Sequence, residues 1–315
     1  MPKYRNRLPQ LNGGIFLTDG GIETTLIFHG GLELPYFAAF HLLKDKVGSE
    51  ALRQYFRTHA SIARAHETGF ILESPTWRAS ADWGAKLGYS AADLVEVNRH
   101  SIELMQELRA EFETPRSPMV ISGCVGPRGD GYDPGQVMSA ADAEAYHRQQ
   151  IDAFGNTEVD LVTAITMTNT PEAIGLVRAA AECGLPVVVA FTVETDGRLP
   201  TGQELKDAIA AVDAATDDAP AYYMVNCAHP THFEAVLGAS DPWIMRLRGI
   251  RANASRRSHA ELNEAPDLDD GDPVELGAQY AQLLRQHPQI NVLGGCCGTD
   301  HRHIEQIAGA CKSVS

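Results

Sequence analysis

Two adjacent cysteines, Cys296 and Cys297, stand in the run Leu293-Gly294-Gly295-Cys296-Cys297-Gly298-Thr299, and a third, Cys227, stands in Val225-Asn226-Cys227-Ala228-His229-Pro230. Each run closes a short apolar segment. Thiolates are soft metal ligands, and glycines beside a cysteine pair let the backbone turn sharply and come close to a bound group. Three thiolates from two strand ends would make a zinc site with its fourth position open, the arrangement of catalytic rather than structural zinc. Spacing alone leaves two other readings standing. The pair could form a vicinal disulfide, or the cysteines could simply be buried, as free cysteine often is. The C-x2-C pairs that mark zinc fingers are missing.

The elements that carry these residues decide between the readings. Short apolar segments ending near Leu17, Leu72, Ser122, Thr163, Phe191, Val225, Ile250 and Leu293 alternate with helical patterns through the whole chain. Leu52, Tyr55, Phe56, His59, Ile62, Ala63 and His66 make a helical stripe that predicts a helix stopping at Gly69 as its carboxyl cap. The tetrapeptide Ser-Ala-Ala-Asp opens a helix at 90–93 and again at 139–142, with serine as N-cap and an acid three residues on. Eight strand-helix units predict a single-domain α/β fold, a (β/α)8 TIM barrel over residues 1–315. An open doubly wound sheet is disfavoured, because Asp19-Gly20-Gly21-Ile22-Glu23 follows the first strand where a G-x-G-x-x-G would be expected. Residues 254–273 form a long acidic connection, read as a solvated excursion, a lid or an oligomer contact.

Barrel active sites lie at the carboxyl ends of the strands. Those ends bring Asp19, Glu73, Thr76, Gly123, Cys124, Thr166, Thr168, Glu194, Asn226, Cys227, Asn253 and the Cys296-Cys297 pair to one face, so Cys227 and the pair end strands six and eight of the same barrel. The zinc reading gains from that convergence.

On these motifs the chain resembles the homocysteine S-methyltransferase family over nearly its whole length. Leu17-Thr18-Asp19-Gly20-Gly21-Ile22-Glu23-Thr24 is similar to the family's opening segment, and Val225-Asn226-Cys227 and Gly294-Gly295-Cys296-Cys297-Gly298-Thr299 resemble its two zinc motifs. The resemblance implies Zn2+ on Cys227, Cys296 and Cys297, with L-homocysteine as acceptor and a small methyl donor as second substrate. The zinc-activated substrate thiolate would be the nucleophile, with no nucleophile from the protein. It places Asp19 and Gly20 near the substrate ammonium, and Thr76 and Gly123 near its carboxylate or chain. Glu73 would touch substrate or close a barrel salt bridge, and Thr168 and Asn226 are likewise expected to bind substrate. Two departures stand out. Many members carry a glutamate at the end of strand four, where this chain reads Ala164-Ile165-Thr166-Met167-Thr168-Asn169, so that Thr166 or Thr168 could replace a hydrogen bond but not a charge. The end of strand seven, Ile250-Arg251-Ala252-Asn253, replaces the family's commoner Pro-Asn, leaving Asn253 as the candidate for any retained role.

The remaining candidates are weaker. Cys183 and Cys311 read as helix residues, Cys124 as a buried strand residue, and His229 and His232 as loop hydrogen-bonders rather than ligands. Trp77, Phe191, Tyr222 and Tyr223 could form an aromatic wall for a cationic donor. Composition narrows the partners: 41 acidic against 26 basic residues give a formal charge of −15, opposite to the footprint nucleic acids require. No run approaches the ~18 apolar residues of a membrane span. Six cysteines in 315 residues are too sparse for a disulfide scaffold and suit a reducing cytoplasm. Subunit number is not implied. The expected donor is S-methylmethionine or S-adenosylmethionine, since the chain leaves no room for folate and cobalamin modules. Betaine-dependent transfer, a zinc hydrolase on the same barrel, and a redox switch at the cysteine pair are the alternatives.

Overall fold

The computed structural model describes residues 1–238, 241–265 and 267–314. Eight parallel strands follow one another around a closed barrel: β1 (Phe16–Leu17), β2 (Gly69–Glu73), β3 (Met119–Val125), β4 (Leu161–Met167), β5 (Val187–Phe191), β6 (Tyr222–Asn226), β7 (Leu247–Ala252) and β8 (Val292–Gly295). Pairing of β1 with both β2 and β8 closes the ring, which rules out the open sheet. Among the described residues no helix is long and apolar enough to cross a membrane.

Both faces of each strand are covered, which is why the segments are almost continuously apolar. Alternation then sorts the side chains. Phe70, Leu72, Ile121, Val162, Val189, Phe191, Tyr223, Val225, Ile250 and Leu293 point outward into the core shared with the helices. Phe16, Ile71, Val120, Leu161, Val188, Tyr222, Met224 and Val292 fill the barrel itself. Its amino end is plugged by Leu8 and by Gln10, whose amide donates to the Tyr222 hydroxyl at 3.4 Å. Toward the carboxyl ends the interior turns polar, with Glu73, Ser122, Thr163, Asn226 and Arg251 all buried.

The repeated Ser-Ala-Ala-Asp does cap two helices, Ala91–Phe112 and Ala140–Gly155. The Ser90 hydroxyl oxygen accepts from the Asp93 amide at 3.2 Å and Ser139 from the Asp142 amide at 3.1 Å, each such cap being worth about 1 kcal/mol. The strands run further than the sequence suggested at several ends. β4 reaches Met167 because a bulge between Ala164 and Met167 lengthens it. The acidic 254–273 connection contains a short helix, His259–Asn263, and its acids are engaged: Asp269 accepts from the Ser255 hydroxyl and Asp270 pairs with Arg302, both at 2.7 Å.

Gly69 is not the cap of the preceding helix. That helix, Lys46–Ala65, ends four residues earlier, and Glu67 takes the left-handed turn at φ 54°. Gly69 instead begins β2, where an added Cβ would lie 2.2 Å from the buried Phe16 ring inside the barrel. Close approach, not turning, demands the glycine. Gly69→Ala should therefore destabilise the fold by roughly 1–3 kcal/mol through overpacking. Chemical denaturation measures this directly, and an unchanged midpoint would show that Phe16 has room to move.

Candidate metal centre

The register of three neighbouring strands brings the cysteines together. Asn226 on β6 pairs with Arg251 on β7, which pairs with Gly294 on β8, and the three chains then turn over the barrel mouth side by side. Cys227 follows β6 in the left-handed region at φ 57°, a conformation that costs a non-glycine residue about 1–2 kcal/mol and needs support. Its amide donates to the Arg251 carbonyl at 3.0 Å. Its own carbonyl accepts from the Asn253 amide at 3.0 Å and from His259 Nε2 at 2.6 Å. The pair on β8 is fixed in the same way, with the Cys296 amide donating to the Ala252 carbonyl at 2.8 Å and the Cys297 carbonyl accepting from the Ala254 amide at 3.0 Å. Gly295 is required because a Cβ there would meet the Thr299 hydroxyl at 2.1 Å.

The three Sγ atoms lie within 4.8 Å of one another, Cys296 to Cys227 at 3.0 Å and Cys227 to Cys297 at 3.4 Å. All six cysteines of the chain are free. The Tyr132 hydroxyl reaches in from the loop after β3, 3.0 Å from the Cys227 sulfur and 3.1 Å from that of Cys297, and its ring packs on His259 at 4.1 Å between centroids. By themselves the sulfurs carry little charge. Hydrogen bonds from Cys227 and Cys296, then from Tyr132, hold the Cys297 thiol well below its usual range. Cys227, hydrogen-bonded to both neighbouring thiols and buried, is pushed up. The cluster thus favours the thiolate at Cys297 over one at Cys227. Tetrahedral zinc with sulfurs at about 2.3 Å sets them roughly 3.8 Å apart. Lengthening the two contacts of Cys227 by less than an ångström reaches that spacing, so the donor set fits a soft divalent ion.

The residues expected near the substrate occupy varied positions. Asp19 is buried with both oxygens engaged: Oδ1 accepts from Arg251 Nη2 at 2.7 Å and Oδ2 from the Tyr55 hydroxyl at 2.8 Å. Gly20 lies under the Asp300 backbone, where a Cβ would approach to 3.2 Å. Glu73 lies inside the barrel, where Oε1 accepts from the Thr163 hydroxyl at 2.9 Å and Oε2 has no partner among the described residues. Burial pushes its carboxyl up to about 7. Thr76 donates to the Cys124 carbonyl at 2.7 Å, closing the turn after β2. Thr168 is buried and accepts from the Asn169 amide at 3.2 Å. Gly123 is on the helix side of β3, 2.8 Å from the Phe154 ring if given a Cβ. Asn226 bridges to Thr166, accepting from its amide and donating to its hydroxyl at 2.9 Å each, which pins that residue at φ 61° within the β4 bulge.

Other expectations resolve by strand parity. Phe191 and Tyr223 stack on each other outside the barrel with ring planes 6° apart, and Tyr222 sits among its inner apolar residues, so they build no aromatic wall at the mouth. Trp77 does lie near the mouth, against the Arg78 guanidinium at 3.9 Å. His229 bonds Thr231 and His232 bonds the Arg256 carbonyl, both at 2.8 Å, as loop residues do. Cys124 is buried among the inner residues, Cys311 is buried under the outer helices, and Cys183 donates to Asp152 at 3.0 Å. Sequence reasoning missed Tyr132, Tyr55, His259 and the role of Arg251. Only Arg251 left a signal: it lies between Ile250 and Ala252, and if those face the helices it must face the barrel.

Residues 16–311 match the profile of the family described as homocysteine S-methyltransferase. Among curated proteins, betaine–homocysteine S-methyltransferase 1 of Rattus norvegicus is 24% identical, over 96% of this chain and 74% of the relative. Methionine synthase of Mycobacterium leprae is 25% identical over 82% of this chain, a match that takes in 20% of that longer protein. Among solved structures, the homocysteine methyltransferase MmuM from Escherichia coli shares the fold. Its oxidized form superposes with a TM-score of 0.77 at 21% identity, over 98% of this chain and 99% of that one. Its metallated form gives 0.74 at 20% identity, over 99% and 100%.

The Glu73 carboxyl yields a pH test. Its folded-state affinity for the proton is raised, so the folded protein stays protonated there to higher pH than the unfolded chain, and stability falls as pH rises from the ordinary carboxylate range through about 7. Glu73→Gln cannot ionise and should gain on the wild-type protein by roughly 1–3 kcal/mol between pH 5 and pH 8. Parallel stability curves for the two proteins would show that Glu73 does not titrate in that window.

Proposed function

The chain belongs to the homocysteine S-methyltransferase family, and we propose that it transfers a methyl group from a sulfonium donor, S-methylmethionine or S-adenosylmethionine, to the thiol of L-homocysteine, giving methionine. The observation that carries this reading is the meeting of three free thiols, Cys227, Cys296 and Cys297, at the carboxyl end of the barrel. These three residues would hold Zn2+. When bound there the metal supplies a Lewis acid with one position open, at which an alkyl thiol of pKa ~8.5 loses its proton at neutral pH.

The protein's own part is to bind and orient. The backbone bonds around Cys227 and Cys296 fix the sulfurs before any ligand arrives, so the site is pre-organised. Tyr132 covers two of the three sulfurs, and an acceptor thiol approaching them displaces that contact. Asp19, Gly20, Glu73, Thr76, Gly123, Thr168 and Asn226 are proposed to shape the acceptor's surroundings. Glu73, Asp19 and Asn226 do so from inside the barrel, and Thr76, Gly123 and Thr168 by holding strand ends and turns in place. In the transfer itself one carbon–sulfur bond of the sulfonium breaks as another forms on the acceptor sulfur. The donor's positive charge is discharged, and it leaves as a neutral thioether. No protein side chain is alkylated. A reducing cytoplasm, which keeps the thiols free, is the proposed setting.

Betaine as the donor is the second reading, favoured by the rat relative's name. A zinc hydrolase is less well supported, because water-activating sites usually combine histidine and carboxylate ligands rather than three thiolates. A donor panel with homocysteine separates the first two: turnover with either sulfonium and none with betaine is expected, and turnover with betaine alone would reverse the assignment.

The ligand set has its own test. Cys297→Ser, purified under reducing conditions, should lose bound metal and methyl transfer together, while Cys183→Ser keeps both. A Cys297→Ser protein with a full complement of zinc and an undiminished rate would contradict the proposed ligands.

A further inference from the structure

Arg251 is a buried cation inside the barrel mouth, and the metal centre does not account for it. Its neighbours Ile250 and Ala252 face the helix core, so its side chain enters the barrel, where it is 6% exposed. There Nη2 donates to Asp19 at 2.7 Å and Nε to the carbonyl of Gly295 at 3.2 Å, immediately before the cysteine pair. Nη1 donates to none of the described residues, yet it is not among the polar atoms sealed from solvent. A guanidinium offers five N–H donors in a planar fork suited to carboxylates, so this one has donors to spare beside the proposed acceptor position.

The surroundings point the same way. A substrate ammonium would need an unpaired carboxylate. Asp19 is already matched by Arg251 and Tyr55. The end of β4 offers Ile165, packed among the inner apolar residues. Two acids remain. Glu73 and Glu23 are each pushed up to about 7, chiefly by desolvation, so both hold a proton for much of the time at neutral pH. Beside the cysteines Arg251 therefore has donors to spare while Asp19 is paired; Arg78, also buried, spends Nη1 on the Gly129 carbonyl and stacks on Trp77 and Trp83.

We propose that Arg251 binds the carboxylate of the acceptor and sets its class: a short-chain thiol bearing a carboxylate, for which the α-ammonium group is dispensable. The inference rests on the acceptor-thiol reading above and replaces recognition through the ammonium with recognition through the acid. Asp19 then becomes a positioning residue, holding the fork of Arg251 in place with Tyr55 behind it.

Equilibrium binding to the zinc-loaded protein, followed by calorimetry, tests this without a methyl donor. The three ligands are homocysteine, 4-mercaptobutanoate, which lacks the amine, and 3-aminopropane-1-thiol, which lacks the carboxylate. Wild-type protein should bind the first two within about tenfold of each other and the third about 10- to 100-fold more weakly, the loss expected for a charge-assisted hydrogen-bonded pair. Arg251→Gln should weaken homocysteine and 4-mercaptobutanoate by that same factor while leaving 3-aminopropane-1-thiol and the metal content unchanged. Arg251→Lys, which keeps the charge that Asp19 needs, should fall between them and guards against a folding defect in the glutamine variant. Equal weakening of all three thiols in both variants, or wild-type protein binding the amine-only thiol as tightly as homocysteine, would overturn the role of Arg251 and leave the acceptor reading intact. Failure of zinc-loaded wild-type protein to bind any of the three would remove the acceptor reading itself.

Discussion

The end of β7 is the constraint on which the site depends. β6 and β8 do not touch in the sheet; each pairs with β7, and the cysteines sit where those two neighbours leave it. The Arg251 carbonyl takes the Cys227 amide, the Ala252 carbonyl takes the Cys296 amide, and the Ala254 amide gives to the Cys297 carbonyl. Three residues at and just beyond one strand end thus set the backbone of all three thiols. Moving β7 by one residue would turn Arg251 out of the barrel and separate the sulfurs at once, since strand side chains alternate with a period of two.

Electrostatics follows from that geometry. The same turn that gathers three acidic thiols brings Arg251 and Asp19 beside them, so charges that would be costly to bury singly are buried in pairs or held protonated. Asp19 is paired with Arg251, and burial favours the neutral forms of Glu73 and Cys227. A divalent cation would allow three thiolates to lie together, each shielded by the metal charge.

Much of this was legible in the sequence, and the boundary has a physical explanation. Strand count, closure and the convergence of Cys227 with Cys296 and Cys297 follow from periodicity and from the rule that barrel sites gather at strand ends. The serine caps at 90 and 139 are local, and local rules found them. What the sequence did not show was anything dependent on a distant partner. Gly69 looked like a helix cap until the Phe16 ring, more than fifty residues away, was seen to press on it. Gly123 sits at a strand end, but parity turns it toward Phe154 and the helix layer. The pairing of Asp19 with Arg251, 232 residues apart in the chain, follows from no local pattern. Tyr132 comes from a glycine-rich loop whose path over the barrel no local pattern encodes.

The central claim is that three thiolates of this chain hold one divalent ion and leave it open to an acceptor sulfur. X-ray absorption at the zinc edge of the metal-loaded protein tests it most directly. The account predicts three sulfur neighbours and one lighter atom in the resting protein, becoming four sulfurs when homocysteine is added, with sulfur distances near ~2.3 Å. A shell of nitrogen and oxygen ligands, or a sulfur count that stays at three with homocysteine in excess, would contradict it.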